Sequence, residues 1–491
     1  MVVTGSMNKL HQGAMRVLVQ RLLRLSCAVF AAVLGLSVLG AEGVRADNLS
    51  QMLYDVYDNN PDIRAEEAGL DVKRASTKKT RSAFMPQIDA FGSHSLTKER
   101  LKSGSTTRTR TSQYGVSASQ RLFNGFQTRN NLIKSKYEER SSAYQVRNRE
   151  RQILLEAVKA YMDVYAARRM INLRRQHLSN LEKQRRATLA RIRAGELTRT
   201  DLSKTEVLLY RAKASLEGAL ADLGGAAGRY ESLVGYKPGE LIYPEMPIRY
   251  MPKTKEEAAN KALRMHPDLR SSRSDIKATE YAVKAAKGAF LPSIDLSGEV
   301  SRNFASSQAE TTKTERSFSL RLSLPIFDGG ARLADVEKAQ AEHSQRKYIS
   351  NALAARIKAD AKEQYLRNRA AQATLRQASA EVKAARALLR GIKIEEKAGQ
   401  RSFLDILDAE VSLLDAQELE IYSKADSVIA LYTFLASTGQ LTVSGARKAQ
   451  IQHDPDARAA VAKAEQLARA RIQPAKQAGP RKPQDPWSGL R

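Results

Sequence analysis

A chain of 491 residues with 27% charged but only 6% aromatic side chains, rich in Ala, Leu, Arg, Lys and Glu, suits long helices packed side by side and argues against a dense aromatic core. Its formal net charge is +28, of which residues 1–46 carry +4, residues 443–491 carry +6 and residues 47–442 carry +18. A single cysteine and six scattered histidines exclude a disulfide framework and offer no metal-ligand spacing.

The amino end reads as an export leader, residues 1–46. Arg16, Arg21 and Arg24 precede an apolar run from Leu25 to Leu39, and Val44-Arg45-Ala46 supplies a small-residue cleavage site. The run is about 15 residues, short of the roughly 20 that span a bilayer as a helix. Cys27 lies at the front of that run and not at the cleavage point, so no acyl anchor is expected. Export separates the basic chain from nucleic acid, leaving anionic lipid head groups, cell-wall polymers or plain solvation as the counterparts of its charge.

The rest of the chain is duplicated, residues 47–250 against residues 251–442. Asn60-Pro61-Asp62-Ile63 recurs as His266-Pro267-Asp268-Leu269, and Ala83-Phe84-Met85-Pro86-Gln87-Ile88-Asp89 as Ala289-Phe290-Leu291-Pro292-Ser293-Ile294-Asp295. Leu122-Phe123-Asn124-Gly125 recurs as Ile326-Phe327-Asp328-Gly329, and Gly195, Asp201, Glu206 and Gly235 match Gly399, Asp405, Glu410 and Gly439.

In each half a proline suited to a first helical turn, Pro61 or Pro267, opens a helix that a second proline, Pro86 or Pro292, closes. Two strands follow, expected at about 87–98 and 112–122 in the first half and about 293–304 and 315–326 in the second. Tyr114, Val116, Ala118, Gln120 and Leu122 share one face, against Gln113, Gly115, Ser117, Ser119 and Arg121. The second half is sharper, with Phe318, Leu320, Leu322, Leu324 and Ile326 against Ser317, Ser319, Arg321 and Ser323. The segments Ser93 to Thr111 and Arg302 to Glu315, rich in Ser, Thr, Lys and Arg, read as exposed loops.

From Gln127 to Ala194 the chain has neither Gly nor Pro, enough for a helix of roughly 100 Å. Leu154, Val158, Tyr161 and Tyr165 step along it as the seam of paired helices do. Ala331 to Arg390 repeats the pattern. After the turn at Gly195, Asp201 to Val234 forms a return helix, so two shorter helices stacked end to end can line each long one. Residues 443–491 lose this periodicity and read as a basic, disordered tail holding the single Trp487.

Strands with one apolar and one small polar face match a transmembrane barrel. Four of them cannot close a barrel or leave open edges in hydrocarbon. Three chains give twelve strands and a water-filled interior, whereas two give eight and a plugged one. The fold class expected is therefore a mixed membrane protein: a trimeric 12-stranded β-barrel continuous with a long α-helical, coiled-coil barrel. A soluble coiled-coil adaptor would also be exported and helical, but needs no duplicated strand pairs. No nucleophile elbow, carboxylate pair or metal motif marks an enzyme or a cofactor site.

Asn60-Pro61-Asp62-Ile63-Arg64, Met85-Pro86-Gln87-Ile88, Phe123-Asn124-Gly125, Pro325-Ile326-Phe327-Asp328-Gly329-Gly330 and the turns around Gly195 and Gly399, in this order and duplicated, resemble the TolC family of outer-membrane efflux and type I secretion channels. The resemblance covers roughly residues 48–442. It implies a homotrimer in the outer membrane with its helical part in the periplasm, and passive conduction. Energy would come from an inner-membrane transporter reached through a periplasmic adaptor. It implies that Asp405 and Asp408 form rings of carboxylates narrowing the periplasmic entrance, crowded enough to raise some of their pKa values. Placement near a helix start suits capping and dipole reasons equally well. It further implies a gate latch of Arg401 against Thr200 and Asp201 of the neighbouring turn, with Gly195 and Gly399 as turn glycines at the tip. Glu396 stands where the family pattern often has Tyr.

Overall fold

The computed structural model describes residues 46–100, 104, 106–244, 251–306 and 310–442. The expected leader, apart from Ala46, and the expected tail with Trp487 lie outside the described residues. In chain order the elements are β1 (Ala46–Asp47), α1 (Leu49–Asn59), α2 (Pro61–Ser82), β2 (Gln87–Arg100), β3 (Thr106–Asn124), α3 (Gln127–Arg193), α4 (Arg199–Val234), β4 (Glu240–Leu241), α5 (Lys255–Met265), α6 (Pro267–Gly288), β5 (Ser293–Ser306), β6 (Glu310–Ser323), α7 (Ala331–Lys397) and α8 (Phe403–Ser437).

The strands are longer than the sequence suggests. β2 and β3 pair from Gln87 opposite Ser119 to Arg100 opposite Thr106, and β5 and β6 from Ser293 opposite Ser323 to Ser306 opposite Glu310. Most of the stretches expected as loops, Ser93 to Thr111 and Arg302 to Glu315, are therefore strand. Their polarity misled because a ribbon wet on both faces needs no alternation, and Thr and long Arg side chains accept extended backbone. The far end of β6 errs the other way. It stops at Ser323, before Pro325, which cannot donate to a ladder, so Leu324 and Ile326 leave the apolar row and Ile326 is 94% exposed.

The four strands form one antiparallel sheet in the order β2-β3-β5-β6. Directly opposed residues share a face, so the register puts Ile88, Val116, Leu296, Val300, Phe318, Leu320 and Leu322 together on one side. A bulge between Arg121 and Phe123 takes Leu122 out of register and swings Phe123 onto the same side opposite Ile294. That side is bare: Phe318, Leu320 and Leu322 are 78%, 63% and 69% exposed. The other side carries Ser117, Ser119, Ser297, Ser301, Ser317 and Ser319. On it the Phe91 ring lies across Gly115, where an added Cβ would come within 2.9 Å of the ring.

The helices continue from the strand ends. Asn124 accepts from the Thr128 amide and Asp328 from the Arg332 amide, so matching side chains start the two 67-residue helices α3 and α7. Gly125 and Gly288 meet backbone to backbone at this junction, a Cβ on Gly125 falling 2.0 Å from the Gly288 carbonyl.

Along α3, α2 lies beside the first third, with Thr77 donating to the Ser135 carbonyl and Arg149 to Asp62. α4 lies beside the rest, with Arg229 reaching Asp163 and Arg185 reaching Glu206. The two meet end to end where Asn60, the cap of α2, donates to the Leu233 carbonyl of α4. α6 and α8 stack the same way between α3 and α7. The main core sits at this waist, where α1, the middle of α3 and the ends of α4 and α8 bury Tyr161, Tyr230, Phe434, Leu154 and Met52. β1 and β4 pair in parallel beside it.

Arg151 of α3, 9% exposed, ties the second joint: it donates to the Ala436 carbonyl of α8 and lies 2.8 Å from His266 Nε2 at the start of α6. His266 Nδ1 in turn accepts from the Asp268 amide at 3.3 Å. A neutral imidazole accepts at one nitrogen only, so the two contacts compete, and both need an uncharged ring. Burial first and the Arg151 charge second hold its pKa down at about 4. A base with a lowered folded-state pKa contributes its stability fully above its unfolded value and loses it as pH falls toward the folded one. The shift corresponds to about 3 kcal/mol lost between pH 6.5 and 4. His266→Asn keeps a cap of the kind Asn60 provides and removes the titration. Chemical unfolding of the two proteins at pH 7 and pH 4 should show the wild type losing more stability than the variant across the window, by a difference of that order.

Candidate functional site

The end of the molecule farthest from the sheet is built from two turns of one design. At the close of α3 the Gly195 amide donates to the Ile192 carbonyl and the Glu196 amide to that of Arg191. At the close of α7 the Gly399 and Gln400 amides do the same to Glu396 and Glu395. This paired closure needs a left-handed residue, and Gly195 and Gly399 supply it with φ of 79° and 77°. The return helices then start with reciprocal caps. Thr198 accepts from the Asp201 amide while Asp201 accepts from the Thr198 amide and hydroxyl, and Ser402 and Asp405 repeat the exchange. Behind the turns Leu181, Leu208, Leu209, Ala212 and Leu407 form a small core, with Phe403 and Leu404 against it.

These caps assign work to two residues expected at the gate. Within one copy, hydrogen bonds from the Ser402 amide and then its hydroxyl hold the Asp405 carboxyl below the usual carboxylate range. Asp408 is exposed and lies 3.7 Å from Lys204 Nζ. Arg401 donates to Glu395 of its own turn at 3.0 Å, and among the described residues makes no ion pair with Asp201. Thr200 is exposed on the neighbouring turn.

Glu396 has a partner that sequence reading overlooked. Arg191, in the last turn of α3, donates to Glu396 at 2.7 Å and to Glu196 at 3.0 Å, and its guanidinium lies over the Phe403 ring. The Glu396 side chain is only 11% exposed and the Arg191 side chain 38%, so this bond between the two long helices is sheltered from water on its acidic side. The signal in the sequence is a basic residue in the last turn of a helix, where the dipole favours it, opposite an acid in the equivalent turn of the other half. Higher up, Lys393 and Gln184 both donate to Glu410, and Arg174 to Glu418, so α8 is strapped to both long helices.

Glu396→Arg places two guanidiniums together and should open the tip, seen as faster protease cleavage near residues 195–200 and 399–402. Arg191→Glu combined with Glu396→Arg restores the pair and should return cleavage to the wild-type rate; a double variant cut as fast as the single one would show that the contact contributes nothing.

The two halves of the architecture each match a family model described as outer membrane efflux protein, over residues 52–235 and 258–440. Outer membrane efflux protein BepC of Brucella suis biovar 1 is 30% identical over 428 residues, 87% of this chain and 92% of its own. Alkaline protease secretion protein AprF of Pseudomonas aeruginosa is 24% identical over 295 residues, 58% and 60% of the two chains. The Campylobacter jejuni CmeC outer membrane channel superposes with a TM-score of 0.71 at 17% identity, over 82% of this chain and 89% of its own. With both repeats matched and a relative aligned over nearly its whole length, the chain belongs to the outer membrane efflux protein family.

Proposed function

We propose that three copies of this chain form one conduit, a twelve-stranded pore in the outer membrane continued by a helical tunnel into the periplasm. It serves as the passive exit duct of an efflux or type I secretion system. The observation that carries this reading is the sheet itself: an exposed apolar face bounded by two edges, β2 and β6, that no part of the chain covers among the described residues. Strand directions alternate across the order β2-β3-β5-β6, so β6 of one copy can pair antiparallel with β2 of the next and continue the alternation around a ring. A two-fold arrangement would send the helices to opposite sides of the membrane; the head-to-tail ring keeps them on one.

The helical layer has matching edges. Val72, Val207 and Tyr210 stand exposed on α2 and α4, and Leu333, Tyr348, Leu366 and Ile394 on α7, where neighbouring copies would cover them. Residues 47–250 and 251–442 then act as two structural repeats, six per ring. The duct runs on energy from an inner-membrane transporter engaged through a periplasmic adaptor; it is not an enzyme and uses no cofactor.

At the tip, Asp408 of each copy lines the periplasmic entrance, and Asp405 adds charge there while capping α8. Arg401 meets Thr200 and Asp201 across the boundary between turns, and the Arg191–Glu396 bond replaces the aromatic part of the latch within each copy. Asp201→Ala and Arg401→Ser are each expected to raise single-channel conductance in a planar bilayer severalfold. Conductance equal to the wild type in both variants would remove the latch, and the absence of any channel activity would remove the conduit.

A further inference from the structure

Charge on the sheet is sorted by face. Over β2, β3, β5 and β6, Lys98, Arg100, Arg108, Arg110, Arg302 and Arg316 fall on the apolar face, and the one carboxylate that register places there among the described residues is Glu310, six residues beyond Arg316 at the hairpin end of β6. The carboxylates Asp89, Glu99, Asp295, Glu299 and Glu315 lie on the other face, with Arg121, Arg321 and Lys313. Arg121 pairs there with Asp295 and Lys313 with Glu315, whereas none of the six outward cations makes an ion pair among the described residues.

The cations also occupy one band. On each strand they lie to the hairpin side of the aliphatic residues of that face, away from the helices. In register terms Arg108 stands opposite Lys98, Arg110 opposite Leu96, Arg302 opposite Tyr114 and Arg316 opposite Val300. The band thus steps toward the helices from β2 to β6, as it must if strands tilted in a barrel are to bring it to one height. Tyr114, on the helix side of Arg110, stacks at 5.5 Å with Phe304, which stands two residues to the hairpin side of Arg302, and the Arg302 guanidinium lies over the Phe304 ring. Aromatic rings at this level mark a hydrocarbon–water boundary.

We propose that this collar binds the phosphate groups of the phosphorylated glycolipid in the outer leaflet. A guanidinium at the end of an extended side chain presents a fork that fits phosphate, and five of the six cations are arginine. Carboxylates within the band would repel the same lipid, and Glu310 stands outside it, six residues past Arg316 on β6. The proposal rests on the barrel reading and adds to it the lipid class recognised and the residues that recognise it.

The test uses the purified detergent-solubilised protein with three probes: diphosphoryl lipid A, the same lipid with both phosphates removed, and phosphatidylglycerol. Bound lipid is counted by native mass spectrometry. Diphosphoryl lipid A should be retained roughly tenfold better than its dephosphorylated form and better than phosphatidylglycerol. Arg110→Gln, Arg302→Gln and Arg316→Gln combined should abolish the preference, each single change should weaken it stepwise should the triple variant not assemble, and Arg321→Gln on the lumen face should leave it intact. Equal retention of the two lipid A forms overturns the proposal. So does phosphatidylglycerol bound as well as diphosphoryl lipid A, or an equal loss in Arg321→Gln. Conducting trimers that fail these comparisons would sink the collar and leave the duct standing, whereas protein that forms no oligomer would sink the duct first.

Discussion

A backbone amide or carbonyl facing hydrocarbon has no water to bond, and the sheet of this chain ends on both sides in a row of such groups. Each unpaired group costs several kcal/mol in lipid, so β2 and β6 cannot remain bare once the apolar face between them is in a membrane. The order and direction of the strands allow one economical remedy, in which each copy covers its neighbour's edge. Closure, the pore and the common direction of the helices all follow from that pairing.

The helical part solves a second problem, holding a rod of two 67-residue helices without a globular core. Neither α3 nor α7 could hold position alone. Duplication supplies shorter helices to line each of them, and the joints between those helices are where polar chemistry concentrates. Asn60 on the Leu233 carbonyl and Arg151 between His266 and the Ala436 carbonyl are the two solutions, one neutral and one charged. At the far end the same economy appears: reciprocal caps of one design, Thr198 with Asp201 and Ser402 with Asp405, and glycine turns in both halves, joined by Arg191 and Glu396.

Much of this was legible in the sequence because it rests on local rules. Absence of Gly and Pro from Gln127 to Ala194 fixes α3 within a residue, and Pro61 and Pro267 open their helices as expected. Alternation over Phe318, Leu320 and Leu322 marks the exposed apolar row of the sheet. Alternation fails where both faces are wet, which is why the outer halves of the hairpins looked like loops, and it overran at Pro325, where the ladder ends. Tertiary partnerships were the least visible. Asp201 and Asp405 stood out as gate residues, yet within the chain their carboxylates complete helix caps; Arg191 stood out not at all, since only the approach of two turns 205 residues apart gives it Glu396. The placement of charge on the two faces needed the register, because Lys98 and Glu99 are neighbours in sequence and fall on opposite sides of the sheet.

Closure by edge pairing can be read directly from covalent connectivity. A cysteine placed at Ser95 on β2, with a second one moved in turn through Ser317, Ser319 and Ser323 on β6, can be oxidised in outer-membrane extracts and resolved by size. Pairing of β6 with the next copy's β2 in a closed ring predicts that at least one pair gives a ladder of covalent species ending at three chains. A ladder that ends at two, one that runs past three, or protein that stays monomeric at every pair would contradict it.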